Sequence, residues 1–96
     1  MTKSDIINEI SKQTGVDKID VSFTIEAFIK TVKNAMAEGE AVTLRGFGTF
    51  NSKKRAKKVA RNISTNKAIV IDEHYIPSFK PSREFVDLIK KNVKIK

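Results

Sequence analysis

The chain has 96 residues and a net charge of +8, with 40% hydrophobic and 31% charged residues. That length allows one small domain, read here as residues 1–96, with a modest core. Without cysteine there are no disulfides or thiolate metal sites, and without a run of about 18 apolar residues no membrane span is expected.

The chain opens on Thr2, a residue that caps a helix, and Asp5 stands three positions on, where it can reach back. Polar and apolar residues alternate through MTKSDIINEISKQTG, so no secretory signal is expected. Ile6, Ile7 and Ile10 give the first helix a short apolar stripe, and Gly15 ends it at about residue 14. A second helix is predicted after Asp17, with Asp20 in the capping-box position. Val21, Ile25, Phe28, Ile29, Val32 and Met36 follow at helical spacing and form one apolar face. Ile19 and Phe23 lie off that face, so the helix is expected to be covered by more than its own chain, at a dimer contact. Gly39 closes it.

Residues 41–45, AVTLR, alternate as a strand does, Gly46-Phe47-Gly48 reads as a turn around an aromatic, and the strand pattern resumes at Thr49-Phe50. From Lys53 both faces of the strand are polar: Lys53, Arg55 and Lys57 fall on one side, Lys54 and Lys58 on the other. Such a segment projects into solvent or lies on a partner. After a turn over Asn62–Asn66, Ala68-Ile69-Val70-Ile71 returns, then Ile76, Pro77 and Phe79; Pro77 requires an edge or a strand end, and Pro81 breaks the strand. Ser82 caps a last helix with Phe85, Val86, Ile89 and Val93 inward and Lys90, Lys91 and Lys94 near its end. The class is α+β, in the order α-α-β-β-β-α, with an arm at about residues 53–75. An isolated two-stranded ribbon is marginal in water, so a partner is expected to order the arm.

The charge is concentrated on that arm. Residues 1–50 hold six cations and seven acids, residues 51–67 seven cations and no acid, and residues 68–96 six cations and four acids. A localised basic stripe is the footprint of a polyanion binder; the alternative is a solvated run that only keeps the chain soluble.

Gly46-Phe47-Gly48-Thr49-Phe50, Arg61-Asn62 with Thr65, and Pro77-Ser78-Phe79-Lys80-Pro81, in this order, resemble the bacterial HU and integration host factor family from about residue 1 to about residue 90. The resemblance implies an intertwined dimer whose helical base carries one long two-stranded β-ribbon arm per subunit. Its arms are expected to grip the minor groove of double-stranded DNA, with little sequence specificity and a preference for bent, nicked or distorted duplex, and to bend it. It implies a cytoplasmic, nucleoid-associated protein that helps compact the chromosome, with no cofactor, no metal and no membrane partner. Homodimer and heterodimer both stay open. By the same resemblance Phe47, Phe50 and Phe79 form the dimer core, Lys53, Arg55, Lys58 and Arg61 are arm cations, Asn62, Ile63 and Thr65 belong to the tip, and Lys3, Lys80 and Arg83 meet flanking phosphates. Arg83 stands where the family commonly has lysine. The tip departs further: the family's usual wedge proline is Ile63, and its glycine is Asn66. Asp72 and Glu73 add two acids near the base of the arm.

The sequence is open to three other readings. A subunit of a site-specific DNA-bending heterodimer, like integration host factor, shares every motif above. A basic RNA-binding module is disfavoured because residues 53–71 hold no aromatic on which bases could stack. An enzyme is disfavoured because His74 is the single histidine; with Asp72 on its strand face it supplies two ligands at most, and no glycine-rich phosphate loop occurs. Asn62-Ile63-Ser64 matches a glycosylation acceptor by accident.

Overall fold

The structure, a computed structural model, describes residues 1–62 and 67–93, with the backbone alone at 60–62 and 67. The chain divides into two compact units, Met1–Ala35 and Met36–Lys96. Elements follow as α1 (Lys3–Thr14), α2 (Lys18–Ala37), β1 (Val42–Leu44), β2 (Gly48–Arg55), β3 (Lys58–Asn62), β4 (Lys67–Ile71), β5 (His74–Pro81) and α3 (Arg83–Asn92). The α-α-β-β-β-α order holds, with each long strand of the hairpin interrupted once, at residues 56–57 and 72–73.

The helix ends are built as their residues suggest. Thr2 Oγ1 accepts from the Asp5 amide at 3.3 Å, and an Asp5 carboxylate oxygen accepts from the Thr2 amide at 2.8 Å, a reciprocal capping box. These bonds, that from the Thr2 backbone first, hold the Asp5 carboxyl below its usual range. Gly15 ends α1 in the left-handed conformation at φ 76°, its amide donating to Ser11 O at 2.8 Å. The box expected at Asp17 and Asp20 is not made; Asp20 only places a negative charge in the first turn of α2. In the second unit, Ser82 Oγ accepts from the Phe85 amide at 3.2 Å and caps α3.

In the first unit Val21 is buried, the only buried hydrophobic side chain among the described residues. The rest of the α2 stripe is not fully buried by this chain, as a face expected to meet a second chain requires. Ile25 and Val32 are half-buried, and Phe28 and Ile29 remain 40% and 39% exposed. Ile19 and Phe23 are 71% and 72% exposed.

In the second unit β1, β2 and β5 form an antiparallel sheet in the order β1-β2-β5, and β3 and β4 a two-stranded one. β5 is therefore an edge strand, which is what Pro77 requires. Pro81 closes β5 rather than lying beyond it. Phe47, Phe50, Phe79 and Phe85 cluster, with centroids 4.8 Å apart for Phe50–Phe79, 5.1 Å for Phe47–Phe79 and 5.3 Å for Phe47–Phe85. Phe85 and Val86 are half-buried, but Ile89 and Val93, expected inward, are 47% and 63% exposed: among the described residues nothing covers the far end of α3.

The glycine pair around Phe47 makes this cluster possible. Leu44 O accepts from the Phe47 amide at 2.9 Å, and Gly46, third in that turn, adopts φ 80°, which side chains disfavour. Gly48 is needed for space: a β-carbon there would stand 2.5 Å from Lys80 O and 2.6 Å from the Phe79 ring. Gly48→Ala should therefore cost about 3 kcal/mol of stability, measured by urea unfolding; a loss under about 0.5 kcal/mol would show that β2 and β5 can separate to admit the methyl group.

Candidate nucleic-acid interface

The β2–β5 ladder sets the cations of the lower ribbon in place. Lys53 stands opposite Ile76, Lys54 opposite Tyr75 and Arg55 opposite His74. Strand alternation puts Lys53 and Arg55 on one face and Lys54 on the other. All three cations are exposed. Lys54 is partly neutralised by its own chain, its Nζ lying 3.2 Å from a carboxylate oxygen of Glu73. The two faces thus differ: one presents open positive charge, the other an ion pair and a phenol.

Beyond the interruption, β3 pairs with β4 from Lys58↔Ile71 to Asn62↔Lys67. Two residues drop out on each side, so the register continues unshifted. Lys58 is exposed, as are Val59, Ala68, Ile69, Val70 and Ile71. Among the described side chains of this ribbon neither face is covered, as its sequence implies. Arg61 and Asn62 occupy the end of β3, described by backbone alone. Ile63 and Thr65 lie outside the described residues.

The flanking cations fall in both units. Lys80, at the far end of β5, is exposed opposite Thr49. Arg83 begins α3, its side chain 95% exposed and its Nε a loose 4.0 Å from Asp87 Oδ2. Lys3 begins α1 in the first unit and is held by the Glu26 carboxylate. That hydrogen bond, with the Lys3 charge, keeps the Glu26 carboxyl below its usual range. Asp72, expected to share the strand face of His74, lies instead in the interruption, where its backbone carbonyl meets the imidazole.

The sequence profile of bacterial DNA-binding proteins matches residues 1–90. The chain belongs to the HU and integration host factor family of bacterial DNA-binding proteins. It is 36% identical to the DNA-binding protein HU of Thermotoga maritima over 90 residues, covering 94% of this chain and all of that one. It is 37% identical to integration host factor subunit beta of Stutzerimonas stutzeri, over 93% and 97% of the two chains. Its fold superposes on the Anabaena HU–DNA cocrystal structure with a TM-score of 0.89 at 28% identity, over 94% and 98% of the chains.

Within this family frame, two features of the site escaped the sequence. Lys54–Glu73 and Arg55↔His74 both join residues nearly twenty positions apart. Finding them needs the register, and counting outward from a turn over Asn62–Asn66 would pair Arg61 with Lys67, one residue short of the observed Arg61↔Ala68. Periodicity places Phe85 inward on α3 but cannot place it in the aromatic cluster, because its ring meets Phe47 only through the packing of α3 on the sheet.

Proposed function

We propose that two copies of this chain form a dimer that binds double-stranded DNA through its two ribbons, along the minor groove and with little sequence preference, and bends it, so shaping the chromosome in the nucleoid. The observation that carries this reading is the pairing of an open cationic face at Lys53 and Arg55 with a ribbon that has no core side. Arginine suits groove insertion, because its guanidinium is weakly hydrated and forks onto acceptors, whereas lysine serves phosphates as a point charge. Lys58, Lys80, Arg83 and Lys3 then meet the sugar–phosphate backbone, with Lys3 exchanging Glu26 for phosphate. Phe47, Phe50 and Phe79, joined by Phe85, are assigned to the dimer core. A hollow of about 310 Å³ lined by Phe79, Pro81, Phe85, Val86, Ile89 and Lys90 supports this, since it offers an apolar seat that the chain itself leaves open.

Likeness to integration host factor subunit beta supports a second reading, a site-specific heterodimer. Energy transfer across end-labelled 30-base-pair duplexes of unrelated sequence separates the two. The chain alone should bend all of them alike; bending confined to one sequence, or only with a second polypeptide present, favours the heterodimer. Preference for single-stranded RNA over nicked duplex in competition would overturn both.

The tip assignment rests on the sequence Arg61-Asn62-Ile63-Ser64-Thr65. A branched apolar side chain there can part a base step without selecting a sequence, since isoleucine is among the wedges used in minor-groove bending. Ile63→Ala should leave the salt dependence of binding unchanged and lower the bend at saturation. An undiminished bend removes Ile63 from the mechanism.

A further inference from the structure

His74 is the single histidine of the chain, and the contacts proposed above do not use it. The β2–β5 ladder puts it directly opposite Arg55, one pair along the same face from Lys53↔Ile76. Side chains of directly opposed residues lie about 5 Å apart on one face of a sheet. Lys53, Arg55 and His74, all exposed, therefore form one row. The other face carries Lys54, partly neutralised by Glu73, and Tyr75.

The imidazole is held by its own backbone. Nδ1 lies 3.0 Å from the carbonyl oxygen of Asp72. A carbonyl oxygen can only accept, so Nδ1 carries the proton and donates. Nε2 is then the basic nitrogen. In the neutral ring Nε2 is an acceptor, which phosphate oxygens repel. Protonation makes it a charged donor in the row that already holds two cations.

We propose that His74 is a proton-gated phosphate contact, the third member of the Lys53–Arg55 row, engaging the DNA backbone only as imidazolium. It rests on the DNA-binding reading above. Around the ring, Arg55 across the ladder and Lys53 along the same face oppose protonation, while the neighbouring Asp72 and Glu73 carboxylates favour it; Lys54 and Tyr75 belong to the other face. Carboxyl, phenol, ammonium and guanidinium groups ordinarily titrate outside pH 5.5–8, and imidazole within it. A phosphate beside the ring favours the charged form, and by reciprocity proton uptake favours DNA. Affinity is thus gained as pH falls and lost as it rises.

The test is fluorescence anisotropy of the full chain with a 30-base-pair duplex at pH 5.5, 6.5 and 8.0 and fixed ionic strength. The parent should bind roughly tenfold tighter at pH 5.5 than at pH 8.0, a coupling of ordinary size, with a salt dependence steeper by up to about 1 per chain. His74→Gln should bind like the parent at pH 8.0 and change less than about twofold across the range. His74→Lys should bind tightly at every pH. A parent affinity flat with pH, or a His74→Gln variant that keeps the parent's pH dependence, overturns the contact. Failure to bind duplex at any pH would instead overturn the DNA reading on which it rests.

Discussion

Each tenfold rise in protein concentration should raise the melting temperature by about 3–6 °C. The expectation follows from what the chain leaves uncovered. Val21 is the only buried hydrophobic side chain among the described residues, while Phe28, Ile29, Phe47, Leu88 and Ile89 are 39–56% exposed. Leaving so much apolar surface in water is unfavourable by roughly 25 cal/mol per Å², and a chain this short has little reserve with which to tolerate it. A second copy can cover apolar surface of this kind in each unit. Folding is then coupled to association, and tenfold in concentration is worth about 1.4 kcal/mol. For an assembly of about 150–250 residues each kcal/mol moves the midpoint by about 2–4 °C. Circular dichroism melts from 1 to 100 μM, with sedimentation at both ends, measure it. A concentration-independent midpoint with a monomer at 1 μM would mean that the exposed stripe is tolerated in water and that the dimer is wrong.

Raising salt from 50 to 200 mM should weaken duplex binding by roughly 10³–10⁵-fold. Each phosphate neutralised releases condensed counterions, and six to ten such contacts give a slope of log K on log salt of about −5 to −9. The ladder predicts which cations contribute. Replacing Lys53 and Arg55 together by alanine should make the slope shallower by about 2 per chain, or about 4 per dimer. Lys54→Ala should change it much less, since Lys54 lies on the other face with its charge engaged by Glu73. Titrations at four salt concentrations resolve this. A Lys54→Ala effect as large as half that of the paired Lys53 and Arg55 replacement would mean that DNA does not distinguish the faces.

The contrast between those lysines shows where sequence reasoning reached its limit. Caps were legible because they are local: Thr2 with Asp5, and Ser82, each find their partner within three residues. The box at Asp17 and Asp20 had the same spacing and is not made, because spacing permits such a bond without requiring it. The bare ribbon was legible because cations occupied both strand faces. Which cation is neutralised was not, since Glu73 reaches Lys54 only after the hairpin sets its register. Likewise periodicity put Ile89 and Val93 on the inner face of α3 but could not show that the described residues of this chain leave both exposed.

The paired interruption at residues 56–57 and 72–73 has a bearing on reach. Because equal numbers drop out of both strands, the ladders on either side keep one parity of inward and outward side chains. Removing all four residues would shorten the ribbon by about 7 Å, at about 3.3 Å per residue in each strand, and leave every remaining cation on its present face. Removing one from a single strand would turn over everything beyond it. The break is therefore a place where ribbons of different length can arise by matched insertion or deletion, changing how far along a duplex the tip lands without rewriting the residues that touch it.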